Sequence, residues 1–129
     1  MDKNKTVKKY WGEEFYICNN SLYCAKFLYL LPGYVCSTHR HAIKRETFHV
    51  LAGTGIIRVG VVNRRIEAGD TVDIPIGTWH HFASAEGMTL LEISTQHFDD
   101  DCERLNESHK ITKETDPALW ELLYEQTWD

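Results

Sequence analysis

Between Leu22 and Thr95 the chain is cut by turn residues into short β-rich runs, a pattern that few architectures accept. Leu22 to Leu31 closes at Pro32-Gly33, Thr47 to Leu51 at Ala52-Gly53-Thr54-Gly55, and Ile56 to Val62 at Asn63-Arg64. Arg65 to Ala68 leads to Gly69-Asp70, Thr71 to Ile74 stops at Pro75-Ile76-Gly77, and Met88 to Thr95 is the last. Strand-length segments at this spacing predict an all-β sandwich or barrel. The tail differs. Asp116 suits an N-cap, Pro117 suits a first helical position, and Leu119, Leu122 and Leu123 recur at helical spacing. A C-terminal helix over about 116–126 follows, packed on the sheet or on a partner subunit. Residues 98–115 are acidic and polar and read as mostly loop.

The 129 residues suffice for one core and not comfortably for two. With no repeat, linker or low-complexity tract, one domain over 1–129 is expected. A formal net charge of -5 argues against nucleic acid as a partner, because affinity for phosphate backbones rests on clustered Lys and Arg. The one basic cluster, Lys3 to Lys9, is expected to fray in solvent. No apolar run reaches the roughly 20 residues a bilayer span requires. The opening Met1-Asp2-Lys3-Asn4-Lys5-Thr6 lacks the apolar segment of a secretory signal. A cytoplasmic protein with no membrane partner is therefore expected. Cys18, Cys24, Cys36 and Cys102 form no Cys-x-x-Cys pair and read as plain thiols in a reducing compartment. Cys36 lies three residues before His39 and could join a metal site, but a small buried side chain is the simpler reading.

His39 and His41 are two residues apart, so on a strand both imidazoles leave the same face. Glu46 opens the next run, and a turn between would bring its carboxylate beside them. His80 follows a Pro-x-Gly turn. Three neutral imidazoles and a carboxylate suit one divalent transition metal, Mn, Fe, Co, Ni or Zn. Four protein ligands on an octahedral ion leave two positions for water or substrate. A lone His-x-His pair is weak evidence in a chain with seven histidines. His49, His97 and His109 lack such spacing and read as surface or packing residues. His81 should point to the face opposite His80.

Spacing as a whole is more specific. Gly33, His39, His41, Glu46 and Gly53 resemble the first motif of the cupin superfamily, Gly-x5-His-x-His-x(3,4)-Glu-x6-Gly, at every fixed position. Gly69, Pro75, Gly77 and His80 resemble the second, Gly-x5-Pro-x-Gly-x2-His-x3-Asn, with Ser84 in place of the final Asn. The resemblance covers about residues 20–97. It implies a double-stranded β-helix, a jelly-roll barrel whose interior holds the metal. A homodimer is the expectation for such sheets, whose edges invite pairing.

Three shorter runs point to sugar cupins. Lys9-Tyr10-Trp11-Gly12-Glu13-Glu14 is similar to the opening of phosphomannose-isomerase-type cupins, with Tyr10 replacing Pro. Glu46-Thr47-Phe48-His49-Val50-Leu51-Ala52-Gly53 is similar to a run shared by that group and the D-lyxose isomerases. Glu92 to Asp100 resembles a third segment of the same proteins, with Gln96 replacing Pro. The resemblance implies an aldose–ketose isomerase acting on a small sugar or sugar phosphate.

Proton transfer in such a reaction needs a titratable group besides the four ligands. Lys26 is one candidate, and it equally fits a lysine snorkelling on the outer face of its strand. Glu92 is the other, and alternation lets it face in or out. Lys44 and Arg45 read as a solvated loop. Trp79, Phe82, Phe48 and Tyr34 are core residues before they are stacking platforms. Two rivals share the ligand set: a non-catalytic sugar- or metal-binding cupin, and an iron-dependent dioxygenase.

Overall fold

The computed structural model describes residues 5–127. Its fold is mostly β, a curled antiparallel jelly-roll sheet with one short helical segment at the C-terminal end. One layer runs in the order β1 (Lys5–Lys9), β2 (Gly12–Asn19), β3 (Cys24–Leu30), β10 (Met88–Ser94), β6 (Glu46–Val59) and β8 (Thr71–Ile74). The other joins β7 (Val62–Glu67) to β6, then β9 (His80–Ser84), β4 (Tyr34–Val35) and β12 (His109–Lys110). Two short strands complete it: β5 (His39–Arg40) pairs with β9 and with β11 (Glu103–Arg104).

The strand β6 belongs to both layers. Its first half pairs with β10 and β8, its second with β9 and β7. The turn expected at Ala52 to Gly55 is therefore a bend within one strand. Gly53 has φ 83°, and a Cβ there would meet the carbonyl of Gly87, so only glycine takes the bend without strain. The register on β10 shifts between Thr89 and Leu90, opposite the bend.

Inward-facing rows are polar at one end of the barrel and apolar at the other. On β3 the order is Lys26, Leu28, Leu30, and antiparallel pairing sets Glu92, Leu90 and Met88 of β10 opposite them. On β6 Glu46 is followed by Phe48 and Val50. The apolar end joins Trp11, Phe82, Ile57 and Ile66 in one core, and burial of these side chains supplies the main drive for folding. The polar end holds the candidate site.

Three expectations need correction. Lys5 to Lys9 does not fray; it forms β1, paired along its length with β2, while Lys3 lies outside the described residues. Asp116 makes no capping bond, because its carboxylate accepts from His109 Nε2 at 2.9 Å. The tail helix is one α-turn, α1 (Pro117–Trp120), continued by a π-helical turn over Glu121–Glu125. Leu119, Trp120 and Leu123 pack on Val35, Ala83 and Ile111. The segment 98–115 is the third case, taken up below.

Candidate metal centre

His39 and His80 are direct partners across β5 and β9, and His41 follows one residue beyond β5. Nitrogens of the three rings lie within 4.8 Å of one another. Each ring is held through Nδ1 by a backbone carbonyl: His39 to Ser37 at 2.7 Å, His41 to Asp101 at 2.6 Å, His80 to Thr78 at 2.8 Å. A carbonyl only accepts, so each Nδ1 carries a proton, and in its neutral form each ring presents a bare lone pair at Nε2. Burial opposes a second proton on His39 and His80. It holds the His39 imidazole down to about 3, helped by repulsion from His80, and it lowers His80 too.

Glu46 enters this cluster from the first residue of β6. Its Oε2 is 3.2 Å from His41 Nε2, and its Oε1 is 3.9 Å from His80 Nε2. Both facing atoms are acceptors, so the short approach to His41 is not a hydrogen bond. Glu46 Oε2 and His80 Nε2 are buried without a hydrogen-bond partner. Orphaned buried acceptors are costly, and several aimed at one point call for a cation. Burial raises the Glu46 carboxyl, and the Lys44 ammonium 3.7 Å away pulls it down. Three imidazole nitrogens and a carboxylate oxygen fit a divalent transition metal. The carbonyls behind the rings are the outer support such a site requires.

A second polar cluster lines the same cavity of about 440 Å³. Lys26 points inward, 1% exposed, with Nζ 3.5 Å from Glu14 and 3.9 Å from Glu92. Glu92 also faces inward, opposite Lys26 in the β3–β10 register. Lys44 is not in a solvated loop. It is 3% exposed, donates to Glu92 Oε2 at 3.2 Å and lies 3.7 Å from Glu46. Alternation carried the signal, since Lys44, Glu46 and Phe48 share one face. Arg45 does face solvent, paired with Asp73. Burial lowers both ammoniums, but the carboxylates around them raise them by more. The Glu92 carboxyl is raised by burial and by Glu46, against the pull of Lys44 and Lys26.

His97 is not a plain surface or packing residue either. Its Nδ1 faces Lys26 Nζ at 3.4 Å and Lys44 Nζ at 3.2 Å, and its Nε2 faces Asp99 Oδ1 at 3.0 Å. The other histidines lie outside the cluster: His81 Nδ1 meets Thr38 Oγ1 and His49 Nδ1 meets Thr71 Oγ1. Cys36 accepts from the Phe82 amide within the apolar core, where burial pushes its thiol up to about 12. Among the described residues, the group able to hold a metal is the histidine trio, without Cys36.

The acidic segment expected to be loop holds the histidine strand in place. Asp101 Oδ1 and Oδ2 accept from the amides of Ala42, Ile43 and Lys44, between His41 and Glu46. Further along, Leu105 N donates to Thr38 O, Ser108 Oγ accepts from Ser37 N, and His109 pairs with Val35. Hydrophobic periodicity has no purchase on such a strap, because backbone and carboxylate bonds fix it.

Residues 26–94, just over half of the chain, match the cupin domain family. No curated protein matches the sequence. Among solved structures, the chain is similar to the capsular polysaccharide assembling protein CapF from Staphylococcus aureus. The TM-score is 0.70 at 20% identity, over 81% of this chain and 34% of that one. It is similar to KdgF from Halomonas sp., with TM-score 0.64 and 19% identity, over 68% of this chain and 81% of that one. A mutant of the Bacillus subtilis oxalate decarboxylase OxdC gives 0.67 and 16%, over 78% and 30%. The chain thus spans about a third of the length of CapF and OxdC. At these identities the likeness is one of fold.

Proposed function

We propose, from the premise that this chain belongs to the cupin domain family, that it is a metal-dependent aldose–ketose isomerase acting on a small sugar or sugar phosphate. The observation that carries the reading is a single cavity holding two kinds of group. His39, His41 and Glu46, with His80 directly behind them, form one, and the enclosed Lys26, Lys44 and Glu92 form the other. His39, His41, His80 and Glu46 would hold the ion, one of Mn, Fe, Co, Ni or Zn. When bound, it supplies Lewis-acid polarisation of a substrate carbonyl, which acidifies the neighbouring C–H.

The chain's own residues supply the rest. Glu92, whose carboxyl is raised by burial, takes the proton from one sugar carbon and returns it to the next. Lys26 holds its charge beside Glu92 and stabilises negative charge developing on oxygen. A cavity of about 440 Å³ accommodates a small sugar. A non-catalytic binding cupin needs no enclosed acid–base pair, so the inward placement of Lys26 and Glu92 favours an enzyme. A capsular polysaccharide assembling protein among the fold neighbours is in keeping with a carbohydrate ligand. The proposal takes the working unit to be a cytoplasmic homodimer, which light scattering and localisation imaging check.

Metal analysis of the purified protein, joined to an NMR screen of aldoses and their phosphates, tests the reading. Interconversion of a sugar pair, lost in His41→Ala, supports it. No turnover across the panel at full metal occupancy would sink it, and oxygen uptake by an iron-loaded sample would replace it with a dioxygenase.

A further inference from the structure

We infer that the outward face of the six-strand layer β1-β2-β3-β10-β6-β8 is a docking surface for a second copy of this chain. The inference rests on the homodimer reading above and deepens it by naming the surface, a sheet face and not a strand edge.

Alternation decides what that face presents. Lys26, Leu28 and Leu30 of β3 point into the barrel, so Phe27 and Tyr29 point out. On β10 the inward Glu92 and Leu90 leave Leu91 and Ile93 outside. Register then sets Phe15, Phe27, Leu91 and His49 in one row across four strands. The Phe15 and Phe27 rings stack at 6.4 Å, and Phe27 meets Tyr29 at 6.2 Å. In the single chain Tyr29 is 40% exposed, Leu51 44% and Ile93 52%. The tail helix packs on the other layer, and the strap pairs with β4 and β5 there. Among the described residues, this face has no cover.

Three observations select a second copy as the occupant. The first is charge. The outward side chains of the central strands β3 and β10 carry none, while the ion pairs Lys8–Glu13 and Arg45–Asp73 stand at opposite rims. An interface has this plan, a core depleted in charge within a polar rim. The second is size. Six strands at about 4.8 Å and about seven residues at 3.3 Å mark out about 670 Å² per copy, and about 1,300 Å² for a pair. That lies within the range of about 1,200–2,000 Å² typical of stable interfaces.

The third is what the edge refuses and the face accepts. Strand β1 carries Lys5, Lys8 and Lys9, and lysines guard an edge against pairing with another strand. Twisted sheets pack readily face to face, and a two-fold axis sets the same patch against itself. Leu22 and Val61 are more exposed still, but they lie at hairpin tips outside this face. The central strands also carry Lys26 and Glu92 on their inner side, so the second copy would back the candidate site from behind.

Light scattering at up to about 100 µM chain tests the inference, since interfaces of this size span µM to pM affinities. The expected particle holds two chains. Ile93→Lys adds a charge at an exposed position, and should raise the dimer dissociation constant at least about a hundredfold with circular dichroism and metal content unchanged. Tyr29→Lys should do the same, and serves if the first variant does not fold. Val61→Lys and Leu22→Lys should leave the dimer intact. The unaltered protein gives an independent reading: a soluble paramagnetic chelate should broaden the methyl signals of Val61 and Leu22 and spare those of Ile93 and Leu51. A single-chain particle throughout the range would overturn the inference and the homodimer together. A dimer that survives both face variants, or in which the Ile93 and Leu51 methyls broaden like the tips, overturns only this surface. Turnover of a sugar is read separately and decides neither.

Discussion

His39, His41, His80 and Glu46 occupy the same polar end of the barrel as Lys26, Lys44, Glu14 and Glu92, and all but the half-buried His39 are buried. They meet burial differently. Among the histidines every donor is taken by a backbone carbonyl, so the facing atoms are all acceptors, a set that a cation would satisfy. Among the lysines and carboxylates, opposite charges face one another within 4 Å and neutralise in part. One cluster is built to be completed from outside and the other mostly completes itself. Removing a member should therefore cost binding in the first and stability in the second.

The largest expected effect is in the self-completing cluster. Lys26→Met removes an ammonium that lies within 4 Å of both Glu14 and Glu92 and should cost about 3–5 kcal/mol in denaturant unfolding. A loss below about 1 kcal/mol would show that the two clusters do not differ in this way. Adding Glu14→Gln should recover part of the loss.

In the histidine cluster the effect should appear only with metal. A divalent ion at about a thousand times its Kd should stabilise the protein by about 4 kcal/mol, and a chelator should remove the increment. In His41→Ala thermal melting should be indifferent to metal. An equal gain in the variant would break the assignment.

Asp101→Ala joins both readouts. It deprives the amides of Ala42, Ile43 and Lys44 of their acceptor, at about 1–3 kcal/mol, and loosens the His41–Glu46 turn. Metal affinity should fall by about 10–100-fold, since support behind a ligand tunes binding. Unchanged affinity would limit the strap to a stabilising role.

Titration sharpens the contrast further. Burial, with Lys26 and Lys44 beside it, lowers the His97 imidazole to about 4, against an unfolded value near 6.5. Its stabilising contribution is fully present above pH 6.5 and is lost as pH falls through about 4. NMR should show the ring neutral at pH 5.5, and a ring charged there would mean that it does not receive the two ammoniums. The smallest change should come from the exposed pair of Arg40 and Glu103: Glu103→Gln should alter stability by about 0–1 kcal/mol and leave metal affinity unchanged.

Legibility in the sequence follows the same division. The strand-and-turn rhythm led to the antiparallel barrel, and the His-x-His spacing placed two rings on one face, because alternation along a strand is a local property. Glycine marks turns and bends alike, so Gly53 reads as a turn in the sequence, and only the pairing of β6 with four neighbours shows the bend. Lys26 and Glu92 could each have faced either way. Their inward aim depends on registers with partners far along the chain, Glu92 opposite Lys26 and Lys26 opposite Tyr16. A charged Lys44 before a strand reads as solvated loop, though its parity with Glu46 points inward.

Residue identity and local spacing carry the sheet-forming rhythm and the candidate metal set, so both are legible along the chain. The convergence of two lysines, two further glutamates and His97 beside that set, and the bracing by the strap around Asp101, come from tertiary contacts. Burial of a charge depends on which distant groups surround it. A strand's alternation names two faces, and only the closed sheet determines which of them is the inside.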